Sequence, residues 1–87
     1  MYKIEFSDAG ITDLERYSMT EIEEVFAIVA AWSVDPRPDG SRPLAASDIG
    51  GVTLHRYEST RFTIFYSVWE AESLVKILVV ISKINRN

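Results

Sequence analysis

Past residue 50 the chain carries six side chains that are cationic or can become so: His55, Arg56, Arg61, Lys76, Lys83 and Arg86. Five of the six fall within residues 52–83, the one stretch where basic groups could gather into a site. Guanidinium and ammonium groups brought together hold anions such as phosphate. An imidazole passes protons near neutral pH, because its ordinary pKa is near 6.5. The stretch could therefore hold an anion, and His55 is a candidate general acid or base. The plainer reading makes His55, Arg56 and Arg61 solvated strand residues that pair with Glu58 or its neighbours. On that reading Lys83 and Arg86 only solubilise the end of a strand.

The elements that must position these residues can be read from periodicity. Residues 52–57 alternate, with Val52, Leu54 and Arg56 pointing one way and Thr53, His55 and Tyr57 the other. Glu58-Ser59-Thr60 is a hairpin loop. In the next strand Phe62, Ile64, Tyr66 and Val68 share one face; Arg61, Thr63, Phe65, Ser67 and Trp69 share the opposite one. Residues 70–73 turn the chain, and 74–81 are apolar at nearly every position except Lys76, as in a strand buried on both faces.

Everything before residue 50 reads as cover. Tyr2, Ile4 and Phe6 alternate with charged residues, the pattern of a half-buried strand. Ser7 or Asp8 can cap a short first helix over 8–17, weakened at Gly10 by about 1 kcal/mol relative to Ala. Thr20 with Glu23 reads as a capping box for a second helix reaching about Val34, with Ser18 competing for the cap. Ile22, Val25, Phe26, Val29 and Trp32 or Ser33 form its apolar stripe. Glu21, Glu23 and Glu24 suit the positive end of the helix dipole and read as a solvated face, not as a paired-carboxylate site. Residues 35–43 hold three prolines and Asp39-Gly40, and so exclude helix and inner strand. A loop, with at most one helical turn, continues to Gly50-Gly51. The order is β-α-α-β-β-β, an α+β fold with two N-terminal helices packed on one face of a small antiparallel sheet. Residues 1–87 read as a single domain.

Composition narrows the function. Cysteine is absent, which removes disulfide and thiol chemistry. No apolar stretch approaches the roughly 20 residues of a membrane helix, and Met1 to Phe6 shows no apolar leader, so a cytoplasmic protein without a membrane partner is expected. Residues 1–50 set four cations against ten acids, −6; residues 51–87 set five cations against three acids, +2; together they give the net −4. An acidic chain is a poor nonspecific binder of nucleic acid, since that affinity comes from Lys and Arg. The asymmetry leaves room for a local basic face.

This order and its motifs resemble the RelE/ParE superfamily of bacterial toxins from type II toxin-antitoxin systems. The resemblance covers nearly the whole chain. It rests on the apolar helix ending in Asp35-Pro36, the loop with Arg42-Pro43-Leu44, then Leu54-His55-Arg56, Phe62-Thr63-Ile64-Phe65-Tyr66 and the strand Val75 to Lys83.

The resemblance implies ribosome-dependent mRNA cleavage, with basic side chains set around the scissile phosphate to offset charge in the transition state. On it Arg56 and Lys83 match basic positions of the family. Thr63 stands where the family usually has arginine, and the family's C-terminal tyrosine would fall beyond Asn87. Arg61, two residues before Thr63, is taken as a stand-in, about 7 Å away along the strand. The catalytic set expected is thus Arg56, Arg61 and Lys83, with His55 and Arg86 as RNA-binding residues and neither metal nor cofactor. The implied partners are a cognate antitoxin, the ribosome and mRNA. A ParE-like inhibitor of DNA gyrase without nuclease chemistry, or a non-catalytic member, is the alternative. Trp32, Trp69 and Phe65, if exposed, would suit the antitoxin's extended contact.

Overall fold

The computed structural model describes residues 1–44 and 50–83. Strand β1 (Lys3–Phe6) leads into helices α1 (Asp8–Leu14) and α2 (Met19–Ala30), the latter tightened into a 3₁₀ turn over Ala31–Ser33. Four further strands follow: β2 (Ser41–Pro43), β3 (Val52–Glu58), β4 (Phe62–Trp69) and β5 (Leu74–Ser82). They form one sheet in the order β1-β5-β4-β3-β2. The α+β architecture read from the sequence is present, with one strand more, since β2 adds an edge within the proline loop. Pro43 is tolerated there because an edge strand need not donate every amide. The sheet is mixed: β1 runs parallel to β5, while the other pairs are antiparallel. Two helices lie between β1 and the rest of the sheet, a connection long enough for a parallel pair.

The core lies between the helices and one face of the sheet. Phe62, Ile64, Tyr66 and Val68 are each 0% exposed, the face that alternation assigns to β4. Val25, Val29 and Trp32 meet them from the helical side. Trp32 packs against Tyr66 with ring centroids 4.2 Å apart and edge-on to Tyr57 at 5.3 Å. Its burial overturns the idea that it serves a partner surface. Phe26, counted in the apolar stripe, is instead exposed and sets its edge against Phe6. Strand β5 is not buried on both faces. Val75, Ile77 and Val80 are buried, whereas Lys76, Leu78 and Val79 are half-buried, because the helices cover only one face. The step of three from Ile77 to Val80 follows from a register shift: Tyr66 opposes Ile77, but Phe65 opposes Val79.

Local signals explain the helices. Ser7 caps α1 by accepting from the Gly10 amide. Gly10 is required by close approach, since a Cβ there would sit 2.8 Å from the Ile77 carbonyl oxygen. Helix α1 stops at Leu14, short of the expected Tyr17, and α2 ends at Ala30. The capping box is Ser18–Glu21, two residues earlier than Thr20–Glu23: the Ser18 amide donates to Glu21 Oε1 at 2.9 Å, and the Glu21 amide donates back to Ser18 Oγ. Glu21 is thereby buried, a capping group beside an exposed Glu23 and a half-buried Glu24.

Past Phe6, the edge of β5 is completed by α1 and the residues after it. The Ser7 amide and hydroxyl donate to the carbonyls of Ile77 and Leu78. The Asp13 carboxylate accepts from the Val80 amide at 2.9 Å. The Tyr17 hydroxyl donates to Val80 O at 2.7 Å and accepts from the Ser82 amide at 3.0 Å.

Candidate functional site

The sheet face away from the helices carries the basic groups. Alternation along β3 sends Arg56 and Glu58 to this face, and the β2–β3 register sets Arg42 directly opposite Arg56. At the far end of the sheet the backbone continues one bond past β5, from the Lys83 amide to Arg61 O at 2.8 Å. That places the Lys83 ammonium over the β3–β4 turn, where it donates to Glu58 Oε2 at 2.7 Å and to Ser59 O at 2.6 Å. Arg56 pairs with the other oxygen, Glu58 Oε1. Gly40, Arg42, Pro43, Leu44, Arg56 and Glu58 line an open groove of about 620 Å³. Three cations and one carboxylate thus share a surface.

Two of the three residues expected to do chemistry, Arg56 and Lys83, are brought together by Glu58. Arg61 is not with them. It lies in the turn ahead of β4, where strand alternation does not govern direction, and its Nε donates to Glu24 Oε1 of α2 at 2.8 Å. Its guanidinium therefore reaches toward the helical layer, away from the face that holds Thr63.

His55 also departs from its expected place. It is 3% exposed, on the helical side of β3, with its ring stacked on Tyr66 at 5.2 Å and 18°. Its Nε2 shares a hydrogen bond with Thr53 Oγ1 at 2.8 Å, and Nδ1 is buried with no hydrogen-bond partner among the described residues. Burial, reinforced by the Arg37 charge, lowers its pKa below 6.5. An imidazole so enclosed is a core group and not a surface contact for RNA. Arg86 lies outside the described residues.

Sequence reasoning passed over two members of the cluster. Arg42 stood only as part of a loop motif, and Glu58 only as a surface partner. The signal for Arg42 is its pairing with Arg56, which depends on the register of a three-residue strand. Like charges directly opposed across strands are destabilising. An anion in the groove would relieve that repulsion.

The second ionic group belongs to the frame. Arg37 Nη2 pairs with Glu70 Oε1 at 2.5 Å, and the Tyr2 hydroxyl donates to Glu70 Oε2 at 2.7 Å. The guanidinium, then the phenol, hold the Glu70 carboxyl below the usual range, while the same bond raises the Tyr2 hydroxyl. The Tyr66 hydroxyl donates to Pro36 O at 2.7 Å and so pins the start of the loop that carries Arg42. Among the described residues no group of three or more His, Asp or Glu comes together to hold a metal. No helix among them is long and apolar enough to cross a membrane.

Two helices over one face of a five-stranded mixed sheet with a parallel β1–β5 pair, and an opposite face that no helix among the described residues covers, match the RelE fold. The archaeal RelE of Pyrococcus horikoshii, solved as a RelE–RelB complex, matches with a TM-score of 0.80 at 16% identity, over 98% of each chain. A chain of the intact Escherichia coli RelBE toxin–antitoxin complex matches at 0.70 and 16%, over 99% of this chain and 100% of that one. The isolated E. coli RelE toxin gives 0.70 and 16%, over 100% and 88%. No protein-family model matches the sequence, and no curated protein matches it.

Proposed function

We propose that this chain is the toxin of a toxin–antitoxin pair, that it cuts mRNA on the ribosome in the cytoplasm, and that a cognate antitoxin holds it inactive. The observation that carries the reading is Arg42, Arg56 and Lys83 gathered about Glu58 on the bare face of a RelE fold. The similar RelE chains solved with RelB support the antitoxin partner.

The chemistry follows from the groups present. A scissile phosphodiester entering the groove competes with Glu58 for Arg56 and Lys83. Released from them, the Glu58 carboxylate accepts the proton of the adjacent ribose 2′-hydroxyl. The 2′-oxygen bonds to phosphorus as the bond to the 5′-oxygen breaks, leaving a 2′,3′-cyclic phosphate and a 5′-hydroxyl that takes up a proton from water. Arg42, Arg56 and Lys83 offset the charge that builds on the non-bridging oxygens. Arg61 and His55 have no part in these steps.

Induction of the chain alone should slow growth, and co-expression of an adjacent antitoxin gene should reverse it. Mapping mRNA ends after induction, alongside gyrase-dependent DNA cleavage, separates the mechanisms. Codon-phased cuts that vanish with Arg56→Ala support the interferase. Trapped gyrase–DNA complexes without such cuts would replace it with gyrase inhibition.

A further inference from the structure

The strand registers line four residues up in one row across the bare face. Arg42 opposes Arg56, Arg56 opposes Phe65, and Phe65 opposes Val79. Neighbouring strands are about 4.8 Å apart, so the backbone of Phe65 lies one strand spacing from that of Arg56, and the two side chains leave the sheet on the same face. Phe65 is half-buried and lies outside the core, because Ile64 and Tyr66 on either side of it are 0% exposed toward the helices. The register shift of β4 on β5 falls between Phe65 and Tyr66. Such irregularities re-aim a side chain locally and gather near functional sites.

A cation beside a flat apolar ring suits one ligand chemistry well: a single-stranded nucleotide, with its phosphate on the charge and its base on the ring. Trp69 shares the face four residues along β4, but it is already engaged. Lys76 Nζ lies 5.5 Å from its ring centroid, and its indole donates to Ser67 Oγ at 2.9 Å.

We infer that Phe65 is the stacking platform for a nucleobase next to the scissile phosphate, so that the RNA strand crosses the sheet from β2 toward β5. The inference rests on the mRNA-cleavage reading. It adds a base contact to a site otherwise made of charges, and it makes cutting depend on an intact base beside the cut.

The test uses ribosomes programmed with messages in which one A-site nucleotide at a time is abasic, and measures single-turnover cleavage by the full chain. Stacking on an aromatic side chain is worth about tenfold or more per base. Wild type should therefore cut one abasic message about tenfold more slowly than the intact one. Phe65→Leu, which keeps an apolar side chain and removes the π-face, should cut both at the same reduced rate; Phe65→Trp should restore the discrimination. A ring that only supported the fold would slow both messages in proportion and preserve their ratio. If wild type cuts intact and abasic messages alike, or Phe65→Leu keeps the full ratio, the stacking role is wrong and the cleavage reading stands. If wild type cuts no message, the cleavage reading falls and takes this inference with it.

Discussion

Arg56 and Lys83 grip opposite oxygens of a single carboxylate, that of Glu58, on the face the helices leave bare. The carboxylate keeps together two cations that come from distant parts of the chain, one in β3 and one just past β5. Arg42, across the strand from Arg56, adds a third positive charge.

On the proposed function, this arrangement gives the arginines different roles. Arg56→Ala and Lys83→Ala should each reduce cleavage by about 10²-fold, the usual loss when one group that stabilises transition-state charge is removed. Arg61→Ala breaks a partly exposed pair with Glu24 and should leave cleavage within a few-fold, costing at most about 1 kcal/mol of stability. Mapped mRNA ends and urea denaturation of the three variants check both halves.

Glu58→Gln should have effects of opposite sign on binding and cutting. It frees Arg56 and Lys83 from their counter-charge, so programmed ribosomes should hold the protein more tightly. It removes the proton acceptor, so the cut should slow by about 10²-fold or more. Titrations and single-turnover rates on the same ribosomes measure the two; tighter binding with an unchanged rate would exclude Glu58 as the base.

Gly10→Ala should destabilise the fold, although helix propensity alone favours Ala by about 1 kcal/mol. The added methyl would meet the Ile77 carbonyl oxygen at 2.8 Å, and forcing it in should cost about 1–3 kcal/mol. The urea midpoint should fall, not rise.

His55 should make stability depend on pH. Burial lowers its pKa in the folded state below the 6.5 of an unfolded chain. Above 6.5 both states are neutral there and the full stability is present. As pH falls below 6.5 the unfolded chain takes up a proton that the folded one refuses, and stability drops until the folded pKa is reached. The melting temperature should thus decline from pH 7.5 to 5.5, and His55→Gln should flatten part of that decline.

Much of this frame was legible in the amino-acid pattern, because period and capping are local. The alternation of Phe62, Ile64 and Tyr66 names the buried face of β4, and the pair Ser7-Asp8 marks the start of α1, where Ser7 is the cap. What escaped depends on pairing. Either face of β3 reads as plausible core until β4 sets Tyr66 opposite His55 and draws the imidazole inward. Arg42 gains its place only when a three-residue strand finds Arg56. Arg61 was misplaced because a residue in a turn inherits no side from the strand after it, and an acidic helix nearby captured it.

The completion of β5 by Ser7, Asp13 and Tyr17 bears on solubility. A strand edge with free amides and carbonyls recruits other chains. Here three side chains occupy those groups past Ile77, so the apolar strand offers no template along that stretch. Asp13→Ala combined with Tyr17→Phe should uncover it, and the variant should polymerise on mild warming, visible as rising light scatter before the loss of helical signal.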